Sequence, residues 1–546
     1  MKASDLFVKA LENEGVKYIF GIPGEENLDL LESLRKSKIK LIVTRHEQGA
    51  GFMAAAYGRL TGNTGVCLST LGPRATNFFT CVSYALLGGM PVLFITGQKP
   101  IKKSKQGRFQ IIDIVGSMRP ITKFTRQIIN GNNIPHLIRE CFRLAECEKP
   151  GPVHLELPED IATEEVDRKP FEKTWVEQPR ARTICIKIAV KMIAQSKSPL
   201  ILIASGANRG KNHAALKKFI DKSGIYFFTT QMGKGAVDER NPKCLGTAAI
   251  SENDYIHCAI DRADLIINIG HDLSEKPPFL MREKGQKIIH ISNNLASMDD
   301  IYFPQLEVIG SLKTNLIALA DAMEPCKSWD FKYFKKVKEE MDVHLFKKDQ
   351  TKSFPNIPQR IVSDVREVMP SNGILSLDNG MYKLWFARNY RAFEPNTVLL
   401  DNALATMGAG LPCAIAAKLV FPDRVVLAIC GDGGFLMNSQ ELETAVRLKL
   451  DLVIMVIRDD GYGMIKWKQG GMNFPSFGLD FSNPDFVKYA QAYGAKGKRI
   501  TKTGELTKVL KEAIKEGGVH LIEVPIDYSE NEKVFMEELK NRTCLI

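Results

Sequence analysis

The sequence lacks the patterns that identify several classes of protein. No apolar stretch is long enough to span a bilayer, and the N-terminal segment MKASDLFVKALENEG is typical of an amphipathic helix, not of a signal or transit peptide. A cytoplasmic location is therefore expected. The eleven cysteines include neither a CxxC motif nor Cys/His pairs at zinc spacing, which indicates single, mostly packed thiols in a reducing compartment.

Nucleic-acid-binding motifs are also missing, although the formal net charge is +11. Lys and Arg are scattered along the chain, and their densest run is KPIKKSKQGR at 99–108. We interpret that run as a solvated loop, with attraction of a small anion as the alternative. The charge therefore gives no reason to expect a nucleic acid or a membrane as a partner.

With 546 residues, the chain is too long for one hydrophobic core and predicts about three domains of roughly 150 residues each. Short apolar runs that end in Gly, Pro or polar residues, such as VKYIFGIPG and ADLIINIG, alternate with helical patterns. This alternation predicts parallel sheets covered by helices, the middle one Rossmann-like. We therefore predict an α/β fold with three doubly wound parallel-sheet domains. The predicted domains are 1–165, 184–325 and 353–546, with linkers at 166–183 and 326–352.

Two stretches far apart in the chain align without a gap. EQGAGFMAAAYGRLTGNTGVCLSTLG at 47–72 and TMGAGLPCAIAAKLVFPDRVVLAICG at 406–431 lie at a constant offset of 359 residues. Each predicts a helix of small residues, a turn, an apolar strand and a glycine loop. Chance gives a few Gly and Ala matches, but an ungapped alignment that keeps both glycine loops favours an internal duplication. The first and third domains are therefore predicted to be similar.

A Gly-Asp-Gly sequence follows the apolar run VVLAIC, and an acidic pair follows the next run, LVIMVI. A helix between the two strands makes a right-handed crossover, which brings Asp432 and Asp459 to the same edge of a parallel sheet. Two carboxylates this close repel unless a cation lies between them. Gly431, Gly433 and Gly434 leave backbone N–H groups open to phosphate oxygens. The pattern predicts Mg²⁺ or Ca²⁺ with a phosphate ligand, against the alternative of a capped turn.

The segment GDGGFLMN…DDGYG resembles the cofactor motif of thiamine-diphosphate enzymes. The resemblance covers essentially the whole chain, from FGIPG and RHEQGAG to VPIDYSEN, and is strongest to the acetolactate synthase family, including its flavin-free catabolic type. It implies that the first domain binds the pyrimidine of thiamine diphosphate and the third binds the diphosphate. It also implies the Mg²⁺ ligands, which are the side chains of Asp432 and Asp459 and the carbonyl of Gly461. Aspartate at position 459 is found in catabolic members, where others carry asparagine.

The same resemblance assigns roles to other residues. It implies that Glu47 protonates N1′ of the cofactor and so activates it, with a capping glutamate as the alternative. Ala405 falls where a carbonyl accepts a hydrogen bond from the 4′-amino group. Phe109 and Gln110 match a pair on the substrate side, with a surface glutamine as the alternative. The remaining implied cofactor-binding residues are Asn379, Gly380, Met381, Met407, Gly431, Gly433, Gly434, Tyr462, Gly463, Met464 and Ile465. A plain core role competes for Met407, Met464 and Ile465.

The chain departs from the family pattern at three places. GPRATN puts Arg74 where the family has glycine, which predicts backbone strain if the position needs a positive φ, or a cation near a keto-acid carboxylate. GHDLSEKPPF at 270–279 replaces the Arg-Phe-Asp-Asp-Arg segment of the flavin-dependent members, so FAD is expected to be absent and 2-ketobutyrate is less favoured as second substrate. Arg458 replaces a frequent asparagine, and the sequence offers no reason for it.

The resemblance implies an acetolactate synthase, which decarboxylates pyruvate and joins the remainder to a second pyruvate. Another thiamine-diphosphate-dependent decarboxylase or carboligase is the alternative, and a non-catalytic nucleotide-binding protein is a remote one. In this family the active sites lie between chains, so a homodimer or homotetramer is expected. The acceptor keto acid, a regulatory subunit, and a role in branched-chain amino acid biosynthesis or in acetoin formation stay open.

Overall fold

The computed structural model describes residues 1–539 except 103–106, 175, 177, 273, 276–280, 282–284, 299, 325, 327 and 347–349. These residues form two compact units. The first comprises Met1–Val176, Ala403–Asp423 and Leu436–Leu450, and the second comprises Glu177–Asn402, Arg424–Phe435 and Asp451–Ile546. Among the helices of the described residues, none is long and apolar enough to cross a membrane. Part of GHDLSEKPPF and part of KPIKKSKQGR lie outside the described residues.

The first unit contains a six-stranded sheet in the order β2-β1-β3-β4-β6-β5, in which every pair is parallel. Its central strands are buried along their whole length, as expected for a sheet covered on both faces. The strands are β1 Tyr18–Gly21, β2 Lys40–Val43, β3 Gly65–Ser69, β4 Val92–Gln98, β5 Phe124–Gln127 and β6 Pro152–Pro158. The helices are α1 Ala3–Asn13, α2 Leu28–Arg35, α3 Glu47–Thr61, α4 Pro73–Thr76, α5 Phe79–Gly88, α6 Ile114–Met118, α7 Ile134–Glu146 and α8 Glu159–Ala162.

The covering helices are held by apolar residues at helical spacing. In α7, with Pro135 in its first turn, Ile138, Cys141 and Phe142 are among the residues buried against the sheet. The amphipathic helix predicted at the N-terminus is α1, whose Leu6, Phe7 and Leu11 face the same core. The described cysteines are free thiols, most of them buried, as predicted.

The second unit contains two further six-stranded sheets, of which the first has the order β12-β11-β10-β7-β8-β9. Its chain order runs outward from two central strands, as in Rossmann-type folds, which confirms that prediction. Cys244–Ala248 and Leu306–Ile309 add edge strands that the sequence patterns did not indicate. The strands are β7 Pro199–Ile203, β8 Phe227–Thr230, β9 Cys244–Ala248, β10 Leu265–Ile269, β11 Lys287–Ser292 and β12 Leu306–Ile309. The helices are α9 Thr183–Gln195, α10 His213–Ser223, α11 Tyr255–Arg262, α12 Leu312–Ala322 and α13 Lys332–Phe346.

Helix α13 lies inside the predicted linker 326–352. The many charged residues of this segment favoured a linker, but Phe334, Val337 and Met341 recur at helical spacing and are buried. The helix packs against α11 and β9. The predicted domain boundaries stay predictions.

The third sheet has the order β14-β13-β15-β16-β18-β17. When the strands of each sheet are numbered along the chain, the third sheet has the same strand order as the first sheet. The predicted duplication therefore extends to the topology. The strands are β13 Ile374–Leu377, β14 Val398–Leu399, β15 Val426–Gly431, β16 Leu452–Arg458, β17 Lys496–Arg499 and β18 Val519–Pro525. The helices are α14 Pro358–Val368, α15 Met381–Asn389, α16 Gly410–Val420, α17 Asp432–Met437, α18 Glu441–Arg447, α19 Gly463–Gly471, α20 Phe486–Ala492, α21 Glu505–Glu516 and α22 Glu530–Glu532.

Candidate active site

Four neighbouring strands of the third sheet, β14, β13, β15 and β16, deliver their loops to one edge. All four are parallel, so their carboxyl ends meet there. The chain order reverses between β13 and β15, which is the topological switch point where ligands bind in open α/β sheets. The predicted residues Asn379, Gly380, Asp432 and Asp459 lie on these loops.

Asp432 stands at the carboxyl end of β15 with 1% of its surface exposed. Its Oδ1 accepts from the backbone N–H of Gly433 at 2.8 Å, and its Oδ2 accepts from the N–H of Asp460 and the side-chain amide of Asn483, both at 2.8 Å. Burial raises the pKa of Asp432 in spite of these donors. The carboxylate is thus held in one orientation.

Asp459 stands close to Asp432, at the end of β16. Burial raises the pKa of Asp459 to about 7, and the nearby negative charge of Asp432 adds to the shift. A Cβ on Gly463 would lie 2.4 Å from Oδ2 of Asp459, so a larger residue there would displace this carboxylate. Among the described residues, no set of three or more Asp, Glu, His or Cys side chains is arranged to hold a metal. An ion at this place would have two carboxylates and main-chain or water oxygens as ligands.

Tyr382 carries a buried hydroxyl group at the same edge. The side chain is 3% exposed, and within the described part of the chain its oxygen has no hydrogen-bond partner. The ring lies against the Gly-Asp-Gly loop, since a Cβ on Gly431 would be 3.0 Å from Cε1 of Tyr382. Burial raises the pKa of Tyr382, and the Gly431 backbone acts against that shift. A buried donor without an acceptor fits an anionic ligand such as a diphosphate.

The other predicted residues of this edge differ in exposure. Asn379 and Met381 are buried, Gly461 and Met464 are half-buried, and Tyr462 and Ile465 are exposed. The core alternative is therefore wrong for Ile465. Helix α19, which begins at Gly463, has no buried residue at all.

Glu47 lies in the first unit, as the first residue of α3, with 4% of its surface exposed. The side chain of His46 caps the helix by accepting from the N–H of Gln48 at 3.0 Å. The side-chain amide of Asn77 donates to Oε2 of Glu47 at 2.9 Å. The helix is therefore capped by His46, and Glu47 is not needed as a capping residue.

Arg74 lies inside the short helix α4, and the positive φ of this loop, 57°, belongs to Gly72. The backbone strain considered for Arg74 is therefore absent. Its guanidinium group donates to the carbonyl of Pro23 at 2.6 Å, and its Nε lies 3.8 Å from Oε1 of Glu47. The chain thus places a cation beside the carboxylate of Glu47.

The loop after Gly72 also meets the predicted substrate-side pair. A Cβ on Gly72 would lie 2.8 Å from the carbonyl oxygen of Gln110, so the two segments touch. Gln110 has a φ of 59°, an unfavourable value for a residue with a side chain. Phe109 is 76% exposed.

Ala405 and Met407 lie just before α16. Ala405 has a φ of 54°, which costs an L residue about 1–3 kcal/mol and persists only where the surroundings impose it. Such strain concentrates at functional sites. Met407 is half-buried, and Gly408, with a φ of 85°, accepts a hydrogen bond from Asn438 at 2.8 Å through its carbonyl.

Several residues of these sites were not predicted. Glu441 is fully buried and accepts from the backbone N–H groups of Arg45 and His46, the residues that precede Glu47. Asp460, which follows Asp459, helps to hold Asp432 and is in turn bound by Arg458 at 2.8 Å. The contact with Asp432 is made by the backbone N–H of Asp460, so no side-chain pattern in the sequence could have indicated it.

Arg458 now has a structural account. Its Nη1 donates to the buried carboxylate of Glu523 at 2.7 Å, while Nε holds Asp460. The hydrogen bond that Arg458 donates to Glu523 is the main reason that the pKa of Arg458 is raised. Tyr528 faces the same aspartates, with its ring 3.3 Å from the place of a Cβ on Gly463.

Comparison with known families agrees with this geometry. Three family models match the chain: the N-terminal TPP (thiamine pyrophosphate) binding domain of thiamine pyrophosphate enzymes at residues 1–117, their central domain at 186–319, and their C-terminal TPP binding domain at 378–524. The chain therefore belongs to the thiamine pyrophosphate enzyme family.

Within that family, the chain resembles acetolactate synthases over almost its whole length. It is 31% identical to an acetolactate synthase of Bacillus subtilis, with 98% of this chain and 95% of the relative aligned. It is 35% identical to a probable acetolactate synthase large subunit of Methanocaldococcus jannaschii, over 97% and 93% of the two chains. It is 31% identical to a catabolic acetolactate synthase of Raoultella terrigena, over 97% and 95%.

Proposed function

We propose that this enzyme makes 2-acetolactate and CO₂ from two molecules of pyruvate, with thiamine diphosphate and Mg²⁺ as cofactors. The single observation that carries the proposal is the placement of two aspartates, the buried Asp432 and the half-buried Asp459, at the ends of two neighbouring parallel strands. Similarity to acetolactate synthases over nearly the full chain supports the choice of reaction.

The metal and the diphosphate would bind at the edge of the third sheet. Asp432 and Asp459 would supply two carboxylate ligands and the carbonyl of Gly461 a third, and these hard oxygen ligands suit Mg²⁺. A dication between the carboxylates relieves the repulsion that contributes to the raised pKa of Asp459. Tyr382 donates to a phosphate oxygen. Gly431, Gly434 and the loop 379–381 complete the contacts, whereas the N–H of Gly433, expected to be open to phosphate, already donates to Oδ1 of Asp432.

The bound thiamine supplies the carbon nucleophile and accepts the electron pair that is left when a 2-keto acid loses CO₂. Glu47 protonates N1′ of its pyrimidine, and Asn77 orients that carboxyl group through a 2.9 Å hydrogen bond. The carbonyl of Ala405, held by its strained backbone, accepts from the 4′-amino group. Met407, Met464, Ile465, Tyr462 and Gly463 are the residues that would contact the cofactor, as the resemblance to the family implies.

The substrate would meet the loop that Phe109 and Gln110 form against Gly72. Gln110 donates to the carboxylate or to the developing alkoxide of the keto acid. Arg74 adds a positive charge next to Glu47, which favours an anionic substrate at this place.

We propose that the enzyme does not bind FAD. In Rossmann-type domains, the turn after the first strand binds the phosphates of a dinucleotide. Here that turn follows β7, and the buried carboxylate of Glu275 already accepts from the N–H of Ser205 at 3.0 Å. Burial raises the pKa of Glu275, and its carboxyl group occupies the N–H of this turn that a phosphate would need. A visible spectrum of the purified protein with flavin bands would contradict the proposal.

The working enzyme is proposed to be a cytoplasmic homodimer or homotetramer with active sites between chains, as its resemblance to the family implies. Small 2-keto acids are its substrates. Light scattering of the purified protein tests the assembly, and a monomer that turns over pyruvate would refute it.

The stoichiometry of the reaction tests the proposed function. With thiamine diphosphate and Mg²⁺ present, two molecules of pyruvate should disappear for each CO₂ released. One pyruvate consumed per CO₂ would identify a simple decarboxylase instead.

A further inference from the structure

Lys383, in the first turn of α15, is a buried lysine for which the preceding mechanism has no use. Only 5% of its surface is exposed. Its Nζ donates to Oδ1 of Asn379 at 2.6 Å, to the carbonyl of Asp401 at 3.1 Å and to Oδ1 of Asn402 at 3.1 Å. An ammonium group has three donors and no acceptor, so three oxygen partners match its charged form.

The three partners belong to two loops of the cofactor edge. Asn379 follows β13, while Asp401 and Asn402 follow β14, the strand paired with β13. Lys383 therefore ties the loop that begins α15 to the loop that leads along the chain to Ala405. Without it, two amide oxygens and a carbonyl lose a buried donor.

The charge of Lys383 is as important as its hydrogen bonds. Asp378, at the end of β13, is 1% exposed, and its Oδ2 lies 2.7 Å from the place of a Cβ on Gly434. Asp401, also buried, faces Lys383 from the other loop. Two buried carboxylates behind the Gly-Asp-Gly loop would repel a diphosphate, and the ammonium group offsets them.

We infer that Lys383 is a positioning residue of the diphosphate site, which fixes the loops after β13 and β14 and supplies the positive charge that lets an anion bind there. This inference rests on the proposed function. The role inferred for Lys383 concerns affinity for the diphosphate group and not the chemical steps. A change at Lys383 should therefore alter cofactor binding.

The test is a titration of the full-length protein with thiamine diphosphate at fixed Mg²⁺, followed by intrinsic tryptophan fluorescence. Lys383→Met should raise the Kd by about tenfold, because it removes a buried charge and three hydrogen bonds. Inorganic pyrophosphate with Mg²⁺, used as a competitor, should lose affinity by a similar factor. Lys508→Met removes an exposed lysine of α21 and serves as the control with the same change of net charge, and its Kd should stay as in the wild type.

The pH profile separates the charge from a merely structural role. Burial lowers the pKa of Lys383 to about 8, and Asp401 and Asp378, which face it, act in the opposite direction. The wild-type Kd for thiamine diphosphate should therefore rise between pH 7 and 9.5, as the ammonium loses its proton. Lys383→Arg stays charged and Lys383→Met stays neutral, so neither variant should show this rise in Kd over the range.

Equal Kd values and equal pH profiles for wild type and Lys383→Met would overturn the inference. If Lys383→Met does not fold, as judged by circular dichroism, the comparison of wild type with Lys383→Arg decides the question. A wild-type protein that binds no thiamine diphosphate would refute the proposed function instead.

Discussion

The carboxylate of Glu441 accepts a 2.9 Å hydrogen bond from the backbone N–H of His46, 395 residues earlier in the chain. The same oxygen, Oε1, accepts from the N–H of Arg45 at 3.0 Å. A Cβ on Gly49 would lie 2.6 Å from this oxygen, so a larger residue there would push the Glu441 side chain away. Glu441 thus fixes the turn from which α3 starts, and with it the position of Glu47.

The first prediction concerns this contact. Glu441→Ala should destabilise the protein by about 1–3 kcal/mol, because two part-buried N–H groups lose their acceptor. Glu441→Gln keeps the oxygen that both N–H groups use and should cost much less. Thermal or urea unfolding measures the difference. Equal stability of the two variants would contradict the account.

Glu441 also predicts a pH effect with a definite sign. Burial raises the pKa of Glu441, so its ionised form lowers the stability of the fold at neutral pH. This penalty is present above the raised pKa and is relieved as the pH falls through it towards the ordinary value. The free energy of unfolding of Glu441→Gln relative to wild type should therefore be highest at neutral pH and fall in mild acid. A difference that does not change with pH would contradict this reasoning.

The second site residue to test is Glu47. Glu47→Gln should reduce turnover by about 10²- to 10⁴-fold, because the variant cannot exchange a proton with the cofactor. Cofactor affinity, measured by fluorescence titration, should stay within a few-fold of wild type. Glu32→Gln, on the exposed face of α2, is the control and should turn over normally. Undiminished turnover of Glu47→Gln would remove the role given to it.

The two aspartates should respond differently. Asp432→Ala should weaken cofactor binding in the presence of Mg²⁺ by at least about 100-fold, since a ligand and its three-donor network are both lost. Asp459→Asn keeps an oxygen ligand and should bind within about tenfold of wild type. Chelation of the metal with EDTA should abolish activity, and added Mg²⁺ should restore it. If Asp432→Ala bound the cofactor as tightly as wild type in the presence of Mg²⁺, the proposed metal site would be refuted.

Arg458 should contribute mainly to stability. Arg458→Asn leaves the buried Glu523 with Arg499 as its remaining ion-pair partner among the described residues, and should cost about 1–3 kcal/mol. Lys217→Asn, which breaks an exposed pair with Asp221, should cost at most about 1 kcal/mol. Urea unfolding of both variants measures the loss in the free energy of unfolding. Equal losses would show that the buried pair contributes no more to stability than the exposed pair.

The parts that the sequence could predict are those set by local pattern. Apolar runs such as VVLAIC give buried strands, and the crossover rule brings Asp432 and Asp459 to one edge. The similarity of residues 47–72 to residues 406–431 predicted that the first and third domains are similar, and their sheets have the same strand order.

The rest depends on contacts between residues far apart in the chain. No spacing rule links Glu441 with His46, or Asn483 with Asp432, because loop packing alone brings them together. Tyr382 and Lys383 had the pattern of ordinary residues of a helix. Their burial against the Gly-Asp-Gly loop and the loop after β14 depends on the order of β14, β13 and β15.

The most direct test of the central claim is the identity of the product made from pyruvate. The purified enzyme, with thiamine diphosphate and Mg²⁺, should form a product that acid converts to acetoin, and Glu47→Gln should form little of it. Acetaldehyde as the sole product would contradict the assignment as an acetolactate-forming enzyme.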